Sequence, residues 1–482
     1  MLLARRRLLK MGALACASPL VTVKAVHALA ANTSTAGFGL PASTGIMATG
    51  WENYAAILAR IQAPTFPDRD FPITQFGAIA GPDHDAGAAI EKAISACHAA
   101  GGGRVLVPAG TFFTGPIVLK SHVNLHLMEG AVLKFSTDPA QYPNVFTRWE
   151  GIECMNHSPL IYAFEQENIA LTGKGILDGQ ASALNWWAWK TTQVPAQKAL
   201  IAMGEQGTPV AQRIFGQGHY LRPNFVQFYR CRDILIEDIH IRNSPMWELH
   251  PVLSRNITVR GVTIDSHGPN NDGCDPESCH DILIDNCEFN TGDDCIAIKS
   301  GKNNDGRRVN VATENIVVRN SRFKDGHGGV VLGSECSGHI RNVFVENCDM
   351  DSPHLDRALR FKDNAERGGI LENVFMRNVT VGRVGESVLT IDMLYEEGAK
   401  GSHPAVVRNV QISNVSSIAS PRVMYIVAYP GAVIDRIKFV DCTFRGVESA
   451  EVIATSGSIE FHNVTIEPRI KPRSKSTRGA IG

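Results

Sequence analysis

Four short strings carry ionisable side chains in an orderly series: Asn270-Asn271-Asp272-Gly273, Thr291-Gly292-Asp293-Asp294, Gly326-His327-Gly328 and Arg360-Phe361-Lys362. Asp272 and Asp293 lie 21 residues apart. If one turn of chain has about that length, the carboxylates of Asp272, Asp293 and Asp294 stack side by side. Like charges held together do not all ionise easily, so at least one acid keeps its proton beside an ionised neighbour. An acid next to a base is what proton-transfer catalysis requires. Adjacent Asp293 and Asp294 reach the same place only if the chain bends, and Thr291-Gly292 just before them permits it. His327, set among glycines, is expected to expose its imidazole. Arg360 and Lys362 share one face of a strand while Phe361 points the other way, into a core.

What positions these strings is an internal repeat. A polar residue, then apolar-x-apolar-x, then Asn or Asp, then a small or apolar residue, begins at Asp233, Asn256, Asp281, Asn315, Asn342, Asn373, Asn409 and Arg436. Weaker copies begin at Asn124 and Asn168. Successive spacings of 23, 25, 34, 27, 31, 36 and 27 describe a coil of at least 23 residues with insertions. Positions two and four are always apolar and should face inward, whereas three and five vary and should face out. Position six is Asp238, Gly261, Asn286, Asn320, Asn347, Asn378, Asn414 and Asp441, a ladder of turn-formers. Strands recurring once per coil, without helices between them, predict an all-β fold: a single-stranded right-handed parallel β-helix. Its open apolar end needs a cover, and Asp85 to Ala100 supplies one. Ile90, Ile94 and Cys97 form a helical stripe there, Asp85 is a candidate N-cap and Gly101-Gly102-Gly103 stop the helix.

The 482 residues are 44% hydrophobic and 20% charged, which supports a sizeable core and excludes wholesale disorder. Lys and Arg total 47 against 48 Asp and Glu, so no global field points to nucleic acid or a membrane surface as partner. Residues 1–30 read as an export signal, with Arg5-Arg6-Arg7-Leu8-Leu9-Lys10 before an apolar run ending at Ala28-Leu29-Ala30. The string is similar to a twin-arginine signal, with an ordinary secretory signal as the alternative. The mature chain is expected to be a soluble monomer, periplasmic or secreted, with no membrane in its mature form. The remaining divisions are an N-terminal extension at 31–70, the β-helix at 71–466 and a basic mobile tail at 467–482. Ten cysteines remain after Cys16, with no CxxC pair, so no zinc site is expected. Cys287, Cys348 and Cys442 occupy position seven of the repeat and read as small core residues.

The four strings resemble the NTD, DD, GHG and RIK motifs of the polygalacturonases, glycoside hydrolase family 28. The resemblance extends through FPITQFGAIAG from Phe71, GGGRVLVPAGTFFTGPIVLKSHVNLHL from Gly101 and SPMWELHP from Ser244. Asn271 stands where the family usually has Thr, and Phe361 where it usually has Ile. The resemblance implies inverting hydrolysis of α-1,4-galacturonosidic bonds in pectic polysaccharide, with no cofactor and no metal. It makes Asp293 the general acid, Asp272 and Asp294 the bases that polarise water, and His327 the group supporting the acid. Arg360 and Lys362 would bind a uronate carboxylate, which needs cationic donors that a neutral sugar does not. Tyr395, in a Tyr-Glu-Glu-Gly turn, would touch a sugar.

Four rivals stand beside this reading: a calcium-dependent pectate lyase-like β-helix, a rhamnogalacturonan hydrolase, a xylogalacturonan hydrolase, and a non-catalytic carbohydrate-binding β-helix. The DD pair and GHG together argue against the first two, and a non-catalytic binder would not need the four ionisable groups together. Exo action is expected from the spacing of 65 from Asn168 to Asp233, against a basic coil of 23. This longest insertion holds Trp186, Trp187, Trp189 and Lys190, able to close a groove end or simply to plug the core.

Overall fold

The structure is a computed structural model that describes residues 50–454 and 457–469. The export signal, residues 31–49 of the extension and the tail from residue 470 lie outside the described residues.

The repeat becomes a right-handed parallel β-helix. Its longest wall runs from Asp70–Pro72 through Gly103–Val107, Val123–Leu127, Glu167–Gly173 and Arg232–Glu237 to Ile459–His462, every pairing parallel. Register holds from coil to coil: Ile234 pairs with Ile257, Ile257 with Ile282, and Ile282 with Ile316. Positions two and four are buried in every copy, from Ile234 and Ile236 to Ile437 and Phe439. Two further walls complete each coil. One contains the strands Ile296–Ile298, Val330–Leu332, Arg357–Lys362 and Ser387–Asp392, and carries the Arg360-Phe361-Lys362 string. Single bridges at Leu249 and Cys274 continue this wall toward the N-terminus.

The polar columns have a backbone cause. Positions one and six are left-handed in all eight copies, for example Asn342 at φ 59° and Asn347 at 54°. Asn and Asp tolerate this region better than other non-glycine residues. Their amides also form ladders: Asn342 Nδ2 donates to Asn315 Oδ1 at 3.1 Å, and Asn409 Nδ2 to Asn373 Oδ1 at 2.7 Å. The ten described cysteines are buried free thiols, including Cys287, Cys348 and Cys442.

The helix Gly87–Ala99 covers the N-terminal end with Ile90, Ile94 and Cys97 buried. Its N-cap is Ala86 rather than Asp85, because the chain enters the helix one residue later. Asp85 Oδ1 still accepts from the Gly87 N–H at 2.8 Å.

The outward position three is not solvated along its whole length. Leu283, Val317, Phe344 and Phe375 form a stripe covered by Trp51, Tyr54, Ile57, Leu58 and Ile61. This segment runs back along the outside of the solenoid. Arg377 stacks 3.6 Å from the Trp51 ring, Arg60 pairs with Asp281 at 2.8 Å and Gln62 bonds Asn256 before the chain enters the sheet at Asp70. Alternation predicts which face a side chain takes, but not whether distant chain covers it.

Candidate active site

Asp272, Asp293 and His327 lie in the turns that precede the charged wall, and Arg360 and Lys362 lie on it. One oxygen from each of Asp272, Asp293 and Asp294 falls within 4.8 Å of the others. Asp272 and Asp293 border a cleft of about 540 Å³ that also receives His327, Arg360, Lys362 and Tyr395, and Asp294 lies buried behind it. All seven side chains singled out from the sequence therefore converge.

Local chemistry explains the turns. Asn271 is buried and fully used: Oδ1 accepts from the Ser266 hydroxyl and the Gly268 N–H, and Nδ2 donates to the carbonyls of Ser244 and Met246. It ties the Asp272 turn to two other segments. The glycines around His327 let the neighbouring coils approach closely. A Cβ on Gly326 would meet Asp293 O at 2.7 Å, and one on Gly329 would meet Ala358 O at 2.8 Å. Phe361 is fully buried, as alternation requires.

Each carboxylate faces a different cation. His327 Nδ1 is 3.0 Å from Asp293 Oδ1. Burial pushes the Asp293 carboxyl up, but the hydrogen bond and charge of His327 hold it down at about 2. Its bond to Asp293 lifts the imidazole, against burial, to about 9. Asp294 has no exposed surface and takes Lys362 Nζ at 2.5 Å and Arg360 Nη1 at 3.3 Å. Two cations on one carboxylate leave a local surplus of positive charge under the Tyr395 ring, 5.2 Å from Lys362 Nζ. Asp272 differs again: burial and the charges of Asp275 and Asp293 push its carboxyl well up, and Lys299 opposes them. Among the described residues neither Asp275 oxygen nor Asp272 Oδ1 makes a hydrogen bond, although the Lys299 ammonium lies 3.5 Å from Asp275 Oδ1. Burial likewise pushes the Asp275 carboxyl well up, with Lys299 again opposing.

Several lining residues escaped the sequence reading: Glu150, Trp247, Lys299, Glu335, Arg357 and Glu396. Lys299 had a signal. Ile296 and Ile298 point inward, so Ala297 and Lys299 share the outward face of the strand after the acid pair. Of the tryptophans, Trp186 is a plug, buried against Tyr142 and Trp189, while Trp187 Nε1 donates to Ser244 O. Lys190 reaches the cleft and bonds Asn270 Oδ1 at 2.6 Å.

Comparison with known proteins meets the same residues. The sequence profile of glycosyl hydrolases family 28 matches residues 212–455, half of the chain and all four charged strings. The chain belongs to glycosyl hydrolases family 28. Among curated relatives, a "Probable polygalacturonase" of Vitis vinifera is 32% identical over 291 residues, which are 58% of this chain and 54% of that protein. An "Exo-poly-alpha-D-galacturonosidase" of Dickeya chrysanthemi is 28% identical over 67% of this chain and 57% of its own length. The chain thus spans little more than half of these two curated relatives. The crystal structure of a hyperthermoactive exopolygalacturonase from Thermotoga maritima superposes with a TM-score of 0.83 at 42% identity, covering 87% of this chain and 96% of that one.

Proposed function

We propose that this family 28 chain hydrolyses α-1,4-galacturonosidic bonds of polygalacturonate by acid/base catalysis, releasing sugars from a chain end. The observation that carries the reading is the Asp294 site, where Arg360 and Lys362 together outweigh one carboxylate beside two further acids. A neutral sugar gains nothing from that surplus, whereas a uronate carboxylate neutralises it. Asp293, the most exposed of the three acids, protonates the leaving oxygen, and His327 supplies the proton that the pair holds between them. Asp272 and Asp294 orient and deprotonate water. Tyr395, against both cations, supports the sugar that they hold. Four cations already answer the carboxylates, which disfavours the calcium of a lyase.

The acid oxygens are closer than the roughly 6.5–9.5 Å usual between the two carboxyls of an inverting pair. Inversion is here a task for three acids, two of which hold the water. Proton NMR of the first product decides it: the β-anomer means inversion and the α-anomer means retention. Product analysis on polygalacturonate tests the activity itself, with Asp293→Asn as control. Galacturonic acid or its dimer should appear first. No sugar release, or an unsaturated product absorbing in the ultraviolet, would refute hydrolysis.

Export to the periplasm or medium through the twin-arginine route is part of the same reading, supported by the Arg5-Arg6-Arg7 string. Among the described residues no helix is long and apolar enough to cross a membrane. Arg5→Lys with Arg6→Lys should strand the precursor in the cytoplasm, and normal export of that variant would favour the general secretory route.

A further inference from the structure

Two of the three clustered carboxylates have cations that the motifs supply: His327 for Asp293, and Arg360 with Lys362 for Asp294. The third has one from outside them. Lys299 Nζ lies 3.8 Å from Asp272 Oδ2, the only ion pair that Asp272 makes among the described residues. The same ammonium is 3.1 Å from Glu335 Oε2 and 3.5 Å from Asp275 Oδ1, and sits 4.3 Å from the centre of the Trp247 ring. It is almost wholly buried. A strongly hydrated ammonium is not removed from water without compensation, and its neighbours above are that compensation.

We propose that Lys299 is a positioning residue for Asp272, the counter-charge that lets this carboxylate ionise and accept a proton from the attacking water. The inference rests on reading the cleft as a glycosidase centre. Its physical basis is the division of one positive charge among three acids. Glu335 is the nearest claimant, and Lys302, Lys362 and Arg367 also face it. Asp272 receives the weakest share, while Asp275, Asp293, Asp294 and the buried Glu248 all oppose its ionisation. Arg222 is a further cation that acts on it. Lys299 favours the ionised Asp272 carboxylate, and Glu335 draws on the same ammonium.

The test is the acid limb of kcat/KM against pH for three variants. Lys299→Met removes the counter-charge, so Asp272 holds its proton to higher pH and the limb rises by about one unit or more. Glu335→Gln frees Lys299 for Asp272, and the limb falls. Lys299→Arg keeps the charge and stays near wild type. Circular dichroism monitors folding, and if Lys299→Met does not fold, the other two variants carry the test. Titration of carboxyl-¹³C aspartate, with the Asp272 resonance assigned through Asp272→Asn, reads the same shifts without any sugar. A chain that cleaves no polygalacturonate but shows those shifts would refute the proposed function and leave this inference standing. An Asp272 midpoint that ignores both Lys299→Met and Glu335→Gln, or moves the same way in both, would overturn it. So would a rise in KM alone, which would make Lys299 a substrate ligand.

Discussion

At Asp293 the proton and the acid that must deliver it occupy different residues. The carboxyl is held at about 2 and the imidazole raised to about 9, so near neutrality the proton sits on His327, 3.0 Å away. At Asp272, by contrast, burial and the neighbouring carboxylates push the carboxyl up, and Lys299 is the charge that opposes them. Leaving-group dependence separates the two roles. An aryl galacturonide with an acidic phenol needs little help to depart, so Asp293→Asn should lose roughly 100-fold or more on polygalacturonate and far less on the aryl substrate. Asp272→Asn should be impaired on both, because water must still be deprotonated. The reverse pattern, measured as kcat for each variant on each substrate, would make Asp272 the acid. The seven residues expected from the sequence converge because each lies in a local string with repeat spacing. Alternation puts Lys299 on the outward face, but its role was hidden because its partners, Asp275, Glu335 and Trp247, come from three other stretches of chain that no spacing announces.

The same contrast holds for the elements. Strand faces and turns were readable because a two-residue alternation and a recurring Asn or Asp reflect the local backbone. The segment from Trp51 to Gln62 was not, since its contacts with Asp281, Phe344 and Phe375 join residues hundreds of positions apart. Nor was the antiparallel hairpin of Asn144–Trp149 and Ile152–His157, which interrupts the parallel coils without a repeat of its own. The left-handed column also identifies its weakest member. Arg436 adopts φ 54° at a position where every other full copy has Asn or Asp, and its ion pair with Asp435 is an exposed one at 3.6 Å. Such a pair contributes little, whereas a non-Asx side chain in that region costs about 1 kcal/mol. Arg436→Asn should therefore raise the thermal unfolding midpoint, and Arg436→Ala should not. A midpoint unchanged or lowered in the Asn variant would show that the column is not set by backbone conformation.

On the scale of the whole molecule, the insertions decide how a polymer meets the cleft. A bare β-helix presents a groove open at both ends. Here the hairpin brings Glu150 to the cleft, where its Oε2 accepts from Gln197 Nε2 at 2.6 Å, and Gln197 belongs to the helix Val194–Glu205. Lys190, bonded to Asn270, stands beside them. Hairpin tip, helix and lysine together line the side next to the Asp272 turn, and on the exo reading proposed above they leave room only for chain ends. Viscosity of a polygalacturonate solution should then fall slowly relative to reducing-end release. Glu150→Ala combined with Lys190→Ala thins the wall without touching the residues assigned to proton transfer, and should raise the proportion of longer oligomers among early products. A steep viscosity drop with only a few per cent of bonds cut, an estimate that follows from closure, would mean that the wild-type cleft passes an internal stretch of chain. The wall would then be only a stabilising appendage.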